Sequence, residues 1–170
     1  MFENNVNRAK PFGFARNLLL SWGLIGGLFL IAVVLINAWS ISVGTIINKP
    51  FAGDFELTEM GVAIAVFCFL PYCQLVGANV TADIFTMRAG QHALRLMSIA
   101  SSLIAVLFSA LLLWTMSAGL LDYIKYPEFT GILQIPIWWA FIPILISLSF
   151  LVLASLITLR DSLMNSPNPE

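Results

Sequence analysis

LLLSWGLIGGLFLIAVVLI, residues 18–36, contains no charged side chain and no proline, and it sits inside a longer charge-free run between Arg16 and Lys49. At 1.5 Å per residue, a helix made from this stretch is about 28 Å long, close to the roughly 30 Å of hydrocarbon in a bilayer. The same pattern recurs three times. Charges are absent between Glu59 and Asp83, between Arg95 and Asp122, and between Glu128 and Arg160. Each gap holds the roughly 20 apolar residues that a membrane crossing needs. The expected spans are therefore Leu18–Ile36, Met60–Ala78, Leu96–Leu120 and Pro136–Leu159. Backbone groups in lipid must bond within their own segment, so all four are expected to be helices.

The whole composition agrees. Of 170 residues, 59% are hydrophobic and 10% are charged, against about 25% charged in a soluble domain. A chain this short could not hide so much apolar surface in a water-soluble core. The expected fold class is an all-α membrane protein with four transmembrane helices and short connections. One four-helix domain covers 18–160, with tails at 1–17 and 161–170. Arg8, Lys10 and Arg16 ahead of the first span resemble a secretory leader. Its apolar run is too long for a signal core, however, and no small-x-small cleavage site follows, so a retained helix is expected.

Lys and Arg set the expected orientation. Arg8, Lys10 and Arg16 precede span one, Arg88 and Arg95 lie between spans two and three, and Arg160 follows span four. The other two connections have Lys49 and Lys125 but are acidic overall through Asp54, Glu56, Glu59, Asp122 and Glu128. Both termini are thus expected to be cytoplasmic (N-in/C-in). Trp39, Tyr123, Tyr126, Trp138 and Trp139 then fall at the outer interface and Trp22 at the inner one, where amphipathic rings anchor helices.

Small residues at helical spacing allow close packing in lipid. Gly23 and Gly27 form a G-x-x-x-G pair, Gly61 and Ala65 stand four apart, and Ser98, Ser102, Ala105 and Ser109 make one stripe. These stripes suit packing within the chain, or docking onto a second membrane protein. Pro71 removes a backbone hydrogen bond from span two, with Gln74 a turn away, and suggests a bend that aids packing or a hinge; Pro143 in span four invites the same reading. Cys68 and Cys73 lie roughly 140° apart around a helix and read as packing residues, not as a pair.

Several function classes are excluded or disfavoured. Eight scattered Lys and Arg with a net charge of −1 give no nucleic-acid surface. No nucleophile–base set, Gly-rich phosphate loop or metal-ligand spacing appears, so no catalytic, cofactor or metal site is expected. No Asp, Glu, Lys, Arg or His lies near the centre of any span, whereas ion and proton paths usually require one. His92, Arg88 and Arg95 share a helical face suited to lipid phosphates or a partner's acidic edge, and a solvated anchor explains them equally well. Asp54, Glu56 and Glu59 complement the amino-terminal end of span two, or offer an extracytoplasmic docking surface.

The stretch Phe55–Thr86, FELTEMGVAIAVFCFLPYCQLVGANVTADIFT, resembles the signature region of the small permease subunit (DctQ type) of TRAP (tripartite ATP-independent periplasmic) transporters. Glu59 stands where that family opens its second helix with an acidic residue, and Asp83 where an aspartate follows the apolar run. Asn37 and the segment Ile132–Leu153 also fit, while Asn79 stands where the family often has histidine. With Arg88 on the same connection, these are the candidate motif or interface residues. The resemblance implies a scaffold and docking subunit, packed against a large permease subunit that moves a carboxylate-bearing organic acid. A periplasmic substrate-binding protein delivers the substrate, and a sodium gradient drives uptake. It also implies a separately encoded large subunit, since little follows span four. The alternatives are a stand-alone four-helix carrier and a membrane assembly protein unrelated to transport.

Overall fold

The computed structural model describes residues 13–48, 51–76 and 91–164, with the backbone alone for 13–15 and 91–95. Four helices account for most of them: α1 (Gly13–Ile47), α2 (Asp54–Val76), α3 (Gln91–Lys125) and α4 (Trp138–Met164). Each contains a segment long and apolar enough to cross a membrane. Among the described residues the only β-type pairing is one isolated antiparallel bridge between Phe129 and Pro136.

The helices outrun their apolar centres. α1 and α3 have 35 residues each, about 52 Å of helix. α2 has 23 and α4 has 27, about 35 and 40 Å. α1 ends where Asn48 turns into the left-handed region at φ 54°, a conformation that asparagine tolerates at a helix terminus. Gly53, at φ 109°, then redirects the chain into α2. That φ excludes most side chains. Asp54 and Glu56 occupy the first turn of α2, where carboxylates complement the partial positive charge of the helix end. Pro71 and Pro143 lie within α2 and α4, which both continue past them.

The packed pairs are α1 with α2, α2 with α4, and α3 with α4. The helices thus stand in a row, α1–α2–α4–α3, with α2 and α4 inside and α1 and α3 as free edges. α1 buries Leu19, Gly23, Gly26, Val33 and Ser40, a seam in steps of four and three that continues through the half-buried Leu30 and Asn37. This is the seven-residue spacing by which one helix follows another. On the other side of α2, Ile64, Phe67 and Leu70 pack with Leu112, Leu113 and Met116 of α3 around Ile144, Leu148 and Leu151 of α4. Large apolar side chains cover the rest of the surface, as suits a chain solvated by lipid.

Candidate interaction surfaces

Two polar clasps close the end of the row where the α1–α2 and α3–α4 connections lie. In the first, the Ser40 hydroxyl donates to Asp54 Oδ2 at 2.7 Å and accepts the Phe51 N–H at 3.3 Å. One turn further along, Asn37 Nδ2 donates to Thr58 Oγ1 at 2.6 Å and to the Val33 carbonyl at 2.9 Å. The Thr58 hydroxyl in turn donates to the Asp54 carbonyl at 2.7 Å. Each donor therefore has an acceptor, and the start of α2 is tied to α1 at two levels.

The second clasp joins connections far apart in sequence. Glu56 accepts the backbone N–H of Ile132 at 2.6 Å on one oxygen and that of Leu133 at 2.9 Å on the other. A carboxylate bridging two backbone donors makes charge-assisted hydrogen bonds, stronger than neutral ones. Beside it, a Cβ placed on Gly53 would lie 2.5 Å from Leu133 Cγ, so Leu133 seats where only glycine leaves room. The captured loop is itself braced: Thr130 N–H donates to the Ile135 carbonyl at 3.0 Å, and Ile137 N–H to Glu128 at 3.1 Å.

Midway along the row, three helices meet at Ser147. Trp22 Nε1 donates to its hydroxyl at 2.9 Å, and that hydroxyl donates to the Pro143 carbonyl at 2.8 Å and lies 3.5 Å from Cys68 Sγ. The Trp22 ring also meets Phe150 edge-on at 5.2 Å. Trp22 thus turns its indole N–H into the protein rather than toward a headgroup, because Ser147 offers an acceptor within reach. Cys68 is buried and Cys73 half-buried, and both thiols are free. Where α3 meets the far end of α4, the hydroxyls of Ser98 and Ser102 lie 3.1 and 3.0 Å from that of Ser162.

α1 and α4 approach each other at Trp22 and part toward the connection end. The gap leaves an open groove of about 420 Å³ across one face of α2, lined among others by Phe29, Val33, Met60, Ile64, Ile135 and Trp139. Its walls are apolar. Among the described residues no group of His, Cys, Asp or Glu could hold a metal ion.

The sequence candidates distribute as follows. Asn37 lies in the α1–α2 seam, and Glu59 is exposed one turn into α2. Asn79, Asp83 and Arg88 lie outside the described residues, as do the side chains of His92 and Arg95. Gly23 and Gly27 face Tyr72 and Phe69, where an added Cβ would lie at ordinary contact distances of 3.6 and 3.8 Å, and Gly61 lies directly under Val33. Ala65, Ser102 and Ser109 are buried, and Ser98 is exposed.

Sequence reasoning singled out Gly61, which lies under Val33, but not the second close approach of α1 to α2, at Gly26. A Cβ on Gly26 would lie 2.6 Å from Cys68 Cβ and 3.3 Å from the Ala65 carbonyl oxygen. The spacing of Leu19, Gly23, Gly26, Leu30, Val33, Asn37 and Ser40 would have identified it; the G-x-x-x-G pattern directs attention to Gly27 instead. Glu56 was grouped with its acidic neighbours, and nothing local marks it as the residue that captures a loop 76 positions away.

A search of curated proteins and one of solved structures each returned no match. The family model for the DctQ component of tripartite ATP-independent periplasmic transporters matches residues 33–164, a stretch that takes in the carboxy-terminal part of α1, both clasps and the remaining three helices. Four membrane-crossing helices and that match together place the chain in the inner membrane, and it belongs to the DctQ family of TRAP transporter components.

Proposed function

We propose that the chain is the scaffold and docking subunit of a TRAP importer. It packs against a large permease subunit that moves a carboxylate-bearing organic acid, delivered by a periplasmic binding protein and driven by a sodium gradient. The observation that carries this reading is the chemistry of the interior. Apart from Gln74, the buried polar side chains among the described residues are all serines. No carboxylate, lysine, arginine or histidine is among them, so nothing in the packed interior supplies an ion or substrate path of the usual kind. A single row of helices also encloses no central channel, and it offers two broad apolar faces to neighbours.

The same reading orients the chain. Arg16 and Arg160 stand at one end of the row, while Glu56, Glu59, Asp122 and Glu128 stand at the other. By the positive-inside rule the arginine end is cytoplasmic and the clasped end periplasmic. There the Glu56 clasp holds the α3–α4 connection in one shape, which suits a surface that must receive a soluble protein. The test is co-expression with the large permease subunit. The two are expected to leave mild detergent as one stable complex. Recovery of this chain free of the large subunit under conditions that keep the latter folded overturns the reading.

A further inference from the structure

The two free edges of the row are not equivalent. On α3, the charges of Arg95 and Asp122 bracket the apolar stretch, about 39 Å of helix. A tilt of about 40°, at the upper end of the usual range, fits that length into 30 Å of hydrocarbon. On α1 the charge-free run extends from Asn17 to Asn48, about 48 Å.

Tilting cannot hide the excess, because α1 is locked to the shorter α2. Ser40 pairs with Asp54, Asn37 with Thr58, and Gly26 with Cys68. The amino-terminal end of α2, with Asp54, Glu56 and Glu59, is therefore level with Ser40. Trp39, 65% exposed, marks the same level as an interfacial anchor. Beyond it, Ile41–Ile47 continue for about 10 Å. Even at the roughly 30° tilt that fits the 35 Å of α2 to the bilayer, this tip stands about 9 Å past the start of α2. The headgroup layer accounts for only about 6 Å. Yet Ile46 is 81% exposed and Ile47 and Ile41 are similarly open.

The tip continues a second seam, opposite the one used by α2. Leu24, Leu28, Ile31, Leu35, Ala38, Ser42 and Thr45 follow steps of four and three, and all are exposed. Leu24 is 74% and Leu28 70% open. Ser42 and Thr45 donate back to the Ala38 and Ile41 carbonyls, so their hydroxyl protons are satisfied within the helix. Half the side of the helix over the roughly 36 Å from Leu24 to Ile47 amounts to about 570 Å², the larger part of the roughly 800 Å² each partner contributes to a stable protein interface.

The geometry points to the free edge of α1, from Leu24 to the projecting tip at Ile46 and Ile47, as the seam on which the large permease subunit packs. An apolar helix of that subunit runs alongside α1 and past the bilayer surface. This rests on the small-subunit reading above. Lipid can solvate α3 over its apolar length, but it cannot cover the tip of α1.

The test places a photoreactive benzoylphenylalanine at Leu28, Leu35 or Ile46, and at Leu107 or Leu111 on α3, in the full chain co-expressed with the large subunit. Adducts mapped to a membrane helix of the large subunit are expected from the α1 sites and not from α3. Adducts from α3 alone, from both edges equally, or from neither edge while the complex co-purifies overturn the seam and leave the small-subunit reading intact. Failure of every variant, and of the unmodified chain, to co-purify overturns both. In parallel, Ile46→Glu is expected to lower the recovered large subunit about tenfold, as loss of one interface anchor does. Phe129→Glu, exposed at the same end, should leave it unchanged. Equal recovery with both variants counts against the seam.

Discussion

Replacing Gly26 by alanine tests the packing that sets the row. The new methyl would lie 2.6 Å from Cys68 Cβ and 3.3 Å from the Ala65 carbonyl oxygen. Neither neighbour is the far end of a flexible side chain, so relief requires α1 and α2 to move apart. Overpacking of this kind costs about 1–3 kcal/mol, and alanine returns about 1 kcal/mol through its better helix propensity. Gly27→Ala gains the same propensity but meets only Phe69 Cζ at 3.8 Å. The difference between the two variants is therefore steric, about 1–3 kcal/mol, with Gly26→Ala the less stable. Thermal unfolding in detergent, followed by tryptophan fluorescence, reads it directly, since Trp22 packs on Phe150 across the α1–α4 contact. A double-mutant cycle sharpens the test. Cys68→Gly removes the opposing Cβ and should recover part of the Gly26→Ala loss, with a coupling of about 0.5–3 kcal/mol. Equal stability of Gly26→Ala and Gly27→Ala, or no coupling with Cys68→Gly, refutes the register of α1 on α2.

Three further outcomes are expected. Ser147→Ala leaves the Trp22 indole N–H without its acceptor and should cost about 1–2 kcal/mol. The double variant Trp22→Phe, Ser147→Ala should be less than additive in the same unfolding assay. Glu56→Ala should release the α3–α4 connection, so that the Ile132 and Leu133 amides exchange hydrogen faster while those in the middle of α4 do not change. Asn37→Leu should cost about 0.5–1 kcal/mol, because Thr58 keeps its own bond to the Asp54 carbonyl; a larger loss would show that Asn37 does more than join α1 to α2.

Much of the fold is legible in the order of residues because the bilayer asks a simple question of a sequence: how long can it go without charge. The gaps between Arg16 and Lys49, and between Glu128 and Arg160, answer it without reference to any other part of the chain. The row of helices was not legible in the same way. Ser98, Ser102 and Ser109 look alike whether they face a sister helix or another protein, and only the position of Ser162 shows where the first two point. The clasp was hidden for a different reason. Glu56 stands among Asp54 and Glu59 in a cluster that any helix start would favour, and its bonds to Ile132 and Leu133 depend on a loop shape set by Thr130, Gln134 and Ile135. Trp22 illustrates the converse. Its place near a span end suggests a headgroup anchor, yet a serine on α4 redirects it inward.

The central claim is that this chain steadies a transporter without carrying the substrate path. Uptake into liposomes under a sodium gradient tests it most directly, comparing this chain alone, the large subunit alone, and the two together with the binding protein and its organic acid. The account predicts no sodium-dependent uptake by this chain alone, and robust uptake only when the large subunit is present. Robust sodium-dependent uptake by this chain alone would contradict it.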